Sequence, residues 1–503
     1  MTLYAGIDCG TQSTKVVIVD SQKAIILGEG SAPHPIISDS SGRREQHAHW
    51  WTDALESAFA LAIQNAGIIG TEIVALAVSG QQHGFVPLNS QGEVLAPAKL
   101  WCDTETALEN QQIIDALGGP QAALDQLGLM PQTGYTASKI LWFKTHQPEL
   151  WQQLSCVLLP HDYLNFWLTG KQIAEYGDAS GTGLLNIRTR QWDDRVVNLI
   201  DPGGRLRKAL PDLIAAETCI GTVLPEIAEK LGISATTKVA TGGGDNMMAA
   251  IGTGNISPGI ITMSLGTSGT LFTYSDTPVV ADSEMIAGFC SSNNGWLPLI
   301  CTMNVTSATT IIQNFLDLDI HAFNDALNQS EPGANGLMML PFFNGERVPP
   351  LPHAKASLHN LDGCNLNPQN LSLAVVESAT YGLRFGIDLF RQQGIETNEI
   401  RLTGGGARSE KWRQIVANIM ATPVVCVTHK ETAALGAAIQ AIWCNTLTEQ
   451  DDKSALLANL CQKFVHLDET THVVPDADMV SRYEVLYQDY LSLLKAEYPK
   501  VPL

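Results

Sequence analysis

The sequence predicts an α/β protein of two lobes built on a repeated plan, with a cleft between them. Three observations predict it. The chain has 503 residues, more than one hydrophobic core normally supports, so two large domains are expected. A strand, a Gly-Thr turn and a second strand occur near the N-terminus and again near the middle of the chain. A strand that runs into three glycines and a helix also occurs twice, once in each half, and such an internal repeat implies paired lobes.

The elements follow in order. From Leu3 to Asp20 the chain reads as a strand, a tight Gly10-Thr11 turn and a second strand, with alternating and β-branched residues on both arms: a hairpin. From His49 to Asn65 apolar Trp50, Ala54, Leu55, Ala58, Phe59, Ala62 and Ile63 recur at helical spacing, and Ile73 to Val78 is an unbroken apolar strand. Lys238-Val239-Ala240 is a short strand before Gly242-Gly243-Gly244, with a helix from Asn246 to Ile251. Small turn residues from Gly252 to Gly259 mark a boundary and a hinge, giving lobes 1–250 and 251–503. The second hairpin runs from Ile260 to Tyr274 around Gly266-Thr267. Ile400-Arg401-Leu402 leads into Gly404-Gly405-Gly406, read as the match of Gly242 to Gly244. Near the C-terminus Val480, Tyr483, Leu486, Tyr487, Tyr490, Leu491 and Leu494 stripe an amphipathic helix that packs on the second lobe.

Composition narrows the function without choosing it. Hydrophobic residues at 45% and charged ones at 16% describe an ordinary globular enzyme, and a net charge of −21 would repel nucleic acid and anionic membranes. No stretch reaches the roughly 18 apolar residues of a membrane span. The N-terminus enters a strand containing Asp8, unlike a signal peptide, so a cytoplasmic protein is expected. Ten cysteines form no Cys-x-x-Cys pair, and Cys9, Cys156 and Cys426 fall in apolar runs, which suits buried thiols better than disulfides or zinc.

The turn at Thr241 to Asn246 carries the most chemistry. Three glycines let backbone approach a ligand closely, and Asp245 follows them at a helix N-terminus, where free N–H groups and the dipole favour its charged form. Such an Asp can be a general base beside a phosphate site. It can also merely cap the helix.

The two Gly-Thr hairpins and two triple-glycine turns resemble the sugar kinase, hexokinase and actin-like ATPase superfamily. Within it the chain is similar to the carbohydrate kinases that include glycerol kinase, gluconokinase and xylulokinase. The likeness covers nearly the whole length, through Gly80-Gln81-Gln82-His83-Gly84, Leu100 to Asp103, Thr136 to Trp142, Leu159 to Leu164, Asp178 to Thr182 and Asn344 to Pro349. It implies a two-lobed actin-like/sugar kinase fold with duplicated ribonuclease H-like domains, the first lobe binding sugar and the second nucleotide. Gly80 to Gly84 stands where glycerol kinases usually carry Asn-Gln-Arg-Glu-Thr, and the likeness is greater to xylulokinases. The implied reaction is ATP-dependent phosphorylation of D-xylulose to D-xylulose 5-phosphate. Ribulose, gluconate and glycerol are the alternative acceptors, and a non-catalytic sugar sensor is the alternative class.

The same resemblance distributes roles. Asp245 is the general base of the phosphoryl transfer, and Asp8 organises Mg2+, which takes one or two carboxylates and keeps several waters. Backbone groups of Gly10, Thr11 and Gln12 meet the γ-phosphate, and Gly266 and Thr267 the other phosphates. Gly404, Gly405 and Gly406 make a shelf for adenine or ribose, or else serve close packing. Gln82, His83, Asp103 and Asn246 bind the sugar, with Trp101 either stacked on it or in the core. Glu105 stands where related chains often carry Arg. Lys139 and Trp142 are equally explained by helix packing with a solvated lysine. The implied partners are the sugar and ATP, with neither nucleic acid nor membrane, and a homodimer fits.

Overall fold

The computed structural model describes residues 1–281 and 283–502. Asp282 and Leu503, both inside the expected second lobe, lie outside the described residues. Chain contacts divide the molecule into two units. The first is formed by Met1–Ile256, Ser275–Pro298 and Glu431–Val465, the second by Ser257–Tyr274, Leu299–Lys430 and the stretch from His466.

The first unit is built on β1 (Leu3–Cys9), β2 (Ser13–Asp20), β3 (Ile25–Pro33), β4 (Ile73–Gly80), β5 (Cys219–Thr222) and β6 (Lys238–Ala240), in the order β5-β6-β4-β1-β2-β3. The very short β7 (Gly243–Gly244) also pairs with β4. Alternation along β1 builds both layers of the core, as a period of two requires. Leu3, Ala5 and Ile7 pack on the face covered by Trp51, Leu55 and Phe59 of the helix Ala48–Ala66. Tyr4 packs on the other face with Ala434, Ala438 and Trp443 of the helix Thr432–Thr446.

The second unit repeats this plan with β8 (Gly259–Leu265), β9 (Gly269–Thr273), β10 (Trp296–Thr302), β11 (Thr397–Thr403), β12 (Val424–Val427) and β13 (Leu467–Val473). Their order is β10-β9-β8-β11-β12-β13. In each unit three antiparallel strands are followed by two parallel ones and an antiparallel edge. Fold duplication is therefore visible strand by strand. Tyr483, Tyr487, Tyr490 and Leu494 of the C-terminal helix Ala477–Glu497 are buried in this unit, where Tyr487 and Tyr490 lie 5.8 and 5.2 Å from the Tyr381 ring.

One expectation needs correction. The triple-glycine turns are not equivalent: Gly404 follows β11, whose counterpart is β4 ending at Gly80, whereas Gly242 follows β6, whose counterpart is β12. The first unit is also not one continuous stretch, because residues 431–465 return to it. Small residues cause the return. A Cβ on Gly6 of β1 would lie 1.9 Å from the Ala434 carbonyl oxygen, so the strand and the helix Thr432–Thr446 touch through backbone. The same helix meets Asp245–Gly252 at two glycines: a Cβ on Gly252 would lie 1.8 Å from Thr432 O, and one on Gly436 1.8 Å from Met248 O.

No disulfide joins the described cysteines; Cys9 and Cys156 are buried and Cys426 is half-buried. Among the described residues no helix is long and apolar enough to cross a membrane.

Candidate active site

Strand register assembles the site of the first unit. β1, β4 and β7 run parallel, with Asp8 opposite Ser79 and Ser79 opposite Gly243, then Cys9 opposite Gly80 and Gly80 opposite Gly244. Their carboxyl ends therefore deliver Asp8, the Gln81-Gln82-His83 loop and Asp245 to one edge, the usual place for a ligand site in an α/β sheet. Gly244 is glycine for a local reason. A Cβ there would lie 2.8 Å from Gln82 Cγ and 3.0 Å from Asp178 Oδ1.

Asp245 is the first residue of the helix Asp245–Gly252, whose N-cap is Gly244, so it is not the cap itself. Its Oδ1 accepts from the Asn246 N–H at 2.8 Å and from Asn246 Nδ2 at 3.0 Å. Burial, and after it repulsion from Asp8 and Asp178, push its carboxyl up to about 7 against the pull of the Asn246 bonds. The expectation that the helix N-terminus would favour the charged form is thus reversed, since desolvation and like charges outweigh the dipole. A carboxyl placed near neutrality can change its protonation state there, which is what general-base work requires.

Asp8 is raised too, by burial, with partial relief from Ser79 Oγ, which donates to its Oδ1 at 2.9 Å, and from Lys15. Lys15 itself is held by Glu431 at 2.5 Å. Behind Asp245 lies a buried polar chain that sequence reasoning missed as a unit. His161 Nδ1 is 2.5 Å from Asp178 Oδ2, and Glu175 Oε2 accepts from Ser292 Oγ at 2.9 Å and from the Asp178 N–H at 3.2 Å. Burial raises Asp178 well above the usual carboxylate range. Both His161 and Asp178 stand in segments that carry the family resemblance, but nothing in their spacing aims them at Asp245.

The sugar-side candidates divide. Gln82 is buried, its Oε1 accepts from Asn246 Nδ2 at 2.9 Å, and its Nε2 has no hydrogen-bond partner among the described residues. A buried donor left unmatched is a feature that a bound hydroxyl would satisfy. His83 Nδ1 lies 2.7 Å from the Gly181 carbonyl, an acceptor that requires the proton on Nδ1. Its ring stacks on Tyr135 at 4.4 Å. Trp101 is 40% exposed rather than in the core, and its Nε1 donates to Thr11 Oγ1 at 2.9 Å.

Asp103 is already engaged within the protein. It is fully buried, and its carboxylate accepts from the N–H groups of Arg44 and Glu105 at 2.8 and 3.1 Å and from Lys99 Nζ at 3.3 Å. Glu45, Asp103 and Glu105 are close enough to hold a metal, but Lys99 Nζ already lies 3.0, 3.3 and 2.5 Å from the three. The Trp142 ring covers that ammonium at 4.0 Å. Glu105 is thereby explained as an ion-pair partner of Lys99.

The phosphate candidates share one design. In the first hairpin loop the Thr11 carbonyl accepts from Gln46 Nε2 at 2.8 Å and the Gln12 carbonyl from the His34 N–H at 3.0 Å. In the second unit the Gly266 carbonyl accepts from the Thr306 N–H at 2.9 Å and the Thr267 carbonyl from the Ser307 N–H at 3.2 Å. Among the described residues no group accepts the N–H of Thr11, Gln12, Gly266 or Thr267. Carbonyls are tied back and donors left outward, as an anion nest requires. Of the three glycines after β11, Gly404 has φ 85° with a Cβ position 2.7 Å from Leu265 backbone, and Gly406 packs on Trp412. Only Gly405 faces open space.

The N-terminal domain of the FGGY family of carbohydrate kinases matches residues 3–252, and the C-terminal domain of that family matches residues 261–444. The chain belongs to the FGGY family. Among its relatives the xylulose kinase of Haemophilus influenzae is 49% identical over 500 residues, covering 99% of this chain and 100% of that one. The xylulose kinase of Bacillus subtilis is 32% identical, over 98% of this chain and 97% of that one. Ligand-bound xylulose kinase from Lactobacillus acidophilus matches with a TM-score of 0.91 at 25% identity, covering 100% and 99%. Gluconate kinase from the same organism reaches 0.90 at 25%, covering 98% of each chain. The two-domain mixed α/β sugar kinase fold is thus the FGGY fold, and likeness of fold alone does not separate the two acceptors.

FGGY membership makes ATP the phosphoryl donor. Asp8 offers a hard carboxylate oxygen at an edge where two raised carboxyls oppose each other, and among the described residues it belongs to no three-ligand cluster.

Proposed function

We propose that this FGGY kinase transfers the γ-phosphoryl group of ATP to the terminal primary hydroxyl of D-xylulose, giving D-xylulose 5-phosphate and ADP. The observation that carries the acceptor is the full-length 49% identity to a xylulose kinase. For the chemistry it is Asp245, a carboxyl raised to about 7 beside the unmatched Gln82 donor.

In this reading the sugar lies against Gln82, His83 and Asn246, with the exposed Trp101 ring along its face. Asp245 accepts the hydroxyl proton as the sugar oxygen bonds to the γ-phosphorus and the bond to the ADP oxygen breaks. Gly10, Thr11 and Gln12 offer N–H donors to the γ-phosphate, Gly266 and Thr267 to the others, and Gly405 a surface for the nucleoside. Asp8 would hold Mg2+, which when bound spreads the charge of the phosphates. Asp103 and the ion pairs around Lys99 act at one remove, by fixing the Trp101 to Glu105 segment. A reaction that uses ATP sets the proposed compartment as the cytoplasm.

The test is ADP release with D-xylulose, D-ribulose, gluconate and glycerol. The largest kcat/KM should belong to xylulose. Glycerol should be poorer by as much as about 10⁴, since a site built for several hydroxyls is left with unpaired groups. A clear preference for gluconate or ribulose would replace the acceptor while keeping the kinase.

A further inference from the structure

Lys139 is a lysine of the helix Thr136–His146, and no part of it reaches solvent. Burying an ammonium is costly unless hydrogen bonds repay it. Here Nζ donates to two backbone carbonyls, that of His83 at 2.7 Å and that of Gly134 at 2.5 Å. Burial pulls the lysine down to about 7, against the attraction of Asp103 and Cys102. Among the described residues no carboxylate bonds it. A fold that needed only packing at this position would be served by a methionine, so the cost points to a task at the two carbonyls.

His83 shows what the task is. Its φ is 64°, the left-handed region that a non-glycine residue enters only when its surroundings hold it there. Contacts to its carbonyl and to its ring do so. Lys139 Nζ and, at 3.2 Å, Thr136 Oγ1 both donate to the His83 carbonyl, both from the first turn of one helix. The ring is fixed by the Gly181 carbonyl and by the Tyr135 stack. Gly134, the second Lys139 acceptor, precedes Tyr135, so one ammonium ties together the backbones that carry both stacked rings.

We propose that Lys139 is a positioning residue for sugar recognition: its ammonium holds the His83 carbonyl in the left-handed turn and so aims the His83 ring at the acceptor. The role rests on the reading that the His83 ring contacts the sugar, and Lys139 acts on that ring through the His83 and Gly134 carbonyls.

A double-mutant cycle on the full-length enzyme tests it, with Lys139→Met, His83→Ala and the pair, measuring KM for D-xylulose and for ATP. Lys139→Met should raise the sugar KM by about tenfold and leave the ATP KM within about twofold. In the His83→Ala background the same change should add less than about twofold, since residues acting through one contact are not additive. Equal effects in the two backgrounds, or an unchanged sugar KM in a folded Lys139→Met protein, would overturn the proposal. Thr136→Val removes the other donor to the same carbonyl at nearly constant shape. If Lys139→Met does not fold, Thr136→Val decides by the same criterion, severalfold in wild type and nothing in His83→Ala. Should His83→Ala alone leave the sugar KM unchanged, the reading of the sugar site fails and this role with it. If His83→Ala raises it but the helix variants do not, only the role of Lys139 fails.

Discussion

Gln82 and Asp245 share one donor: Asn246 Nδ2 lies 2.9 Å from Gln82 Oε1 and 3.0 Å from Asp245 Oδ1. In the proposed reaction, the residue that would offer the sugar an unmatched amide is thus tied to the residue that would take its proton. Because the Asn246 bonds lower the Asp245 carboxyl against burial and its acidic neighbours, removing the side chain should release it upward.

Asn246→Ala is therefore expected to move the acid limb of the kcat/KM profile to higher pH than in wild type, where the limb should lie near 7. Below that point Asp245 is protonated and activity should fall about tenfold per pH unit. A profile measured between pH 5 and about 9 checks both statements, and an unmoved limb would mean that the Asn246 bonds do not set the base.

Stability should respond to the same group. The folded Asp245 carboxyl keeps its proton up to about 7, while an unfolded one loses it near 3.8. Over that window the folded state binds the extra proton, so the group's contribution to stability, full below the unfolded value, is lost as pH rises through the folded one. Asparagine has no such loss. Asp245→Asn should melt above wild type at alkaline pH, with the gap closing towards the unfolded value, and melting curves across the range would expose a gap of the wrong sign.

The glycines after β11 should separate. Gly404→Ala forces a side chain onto Leu265 backbone at φ 85° and should destabilise by about 1–3 kcal/mol. Gly405→Ala meets nothing within 4 Å, so its melting temperature should hold while its KM for ATP rises and its sugar KM does not. Equal behaviour of the two in both measurements would refute the division.

Much of this was legible in the sequence where a pattern is local. Alternation in Leu3 to Asp20 and Ile260 to Tyr274 marks both hairpins, and helical spacing marks His49 to Asn65, observed as Ala48–Ala66. Asp245 stood out because three glycines precede it. What was not legible depends on partners far along the chain. Gly242 and Gly404 look alike as sequence but end strands of different rank in their sheets, and only pairing distinguishes them. Lys139 reads as a solvated helix residue, because one of the two carbonyls it bonds, that of His83, belongs to another segment. Asp103 reads as a polyol ligand, and the bond its carboxylate accepts from the Arg44 N–H, 59 residues away, is not visible in that reading.

The central claim is that Asp245 is the general base of sugar phosphorylation, and the turnover of Asp245→Asn tests it most directly. Asparagine keeps the size of the residue and can still accept from the Asn246 N–H, so sugar and ATP should bind nearly as in wild type. At saturating D-xylulose and ATP, and at a pH above the acid limb, kcat should fall by about 10² to 10⁴. A variant that binds both substrates and keeps more than about a tenth of wild-type turnover would contradict the account, because losing a general base costs at least about a hundredfold.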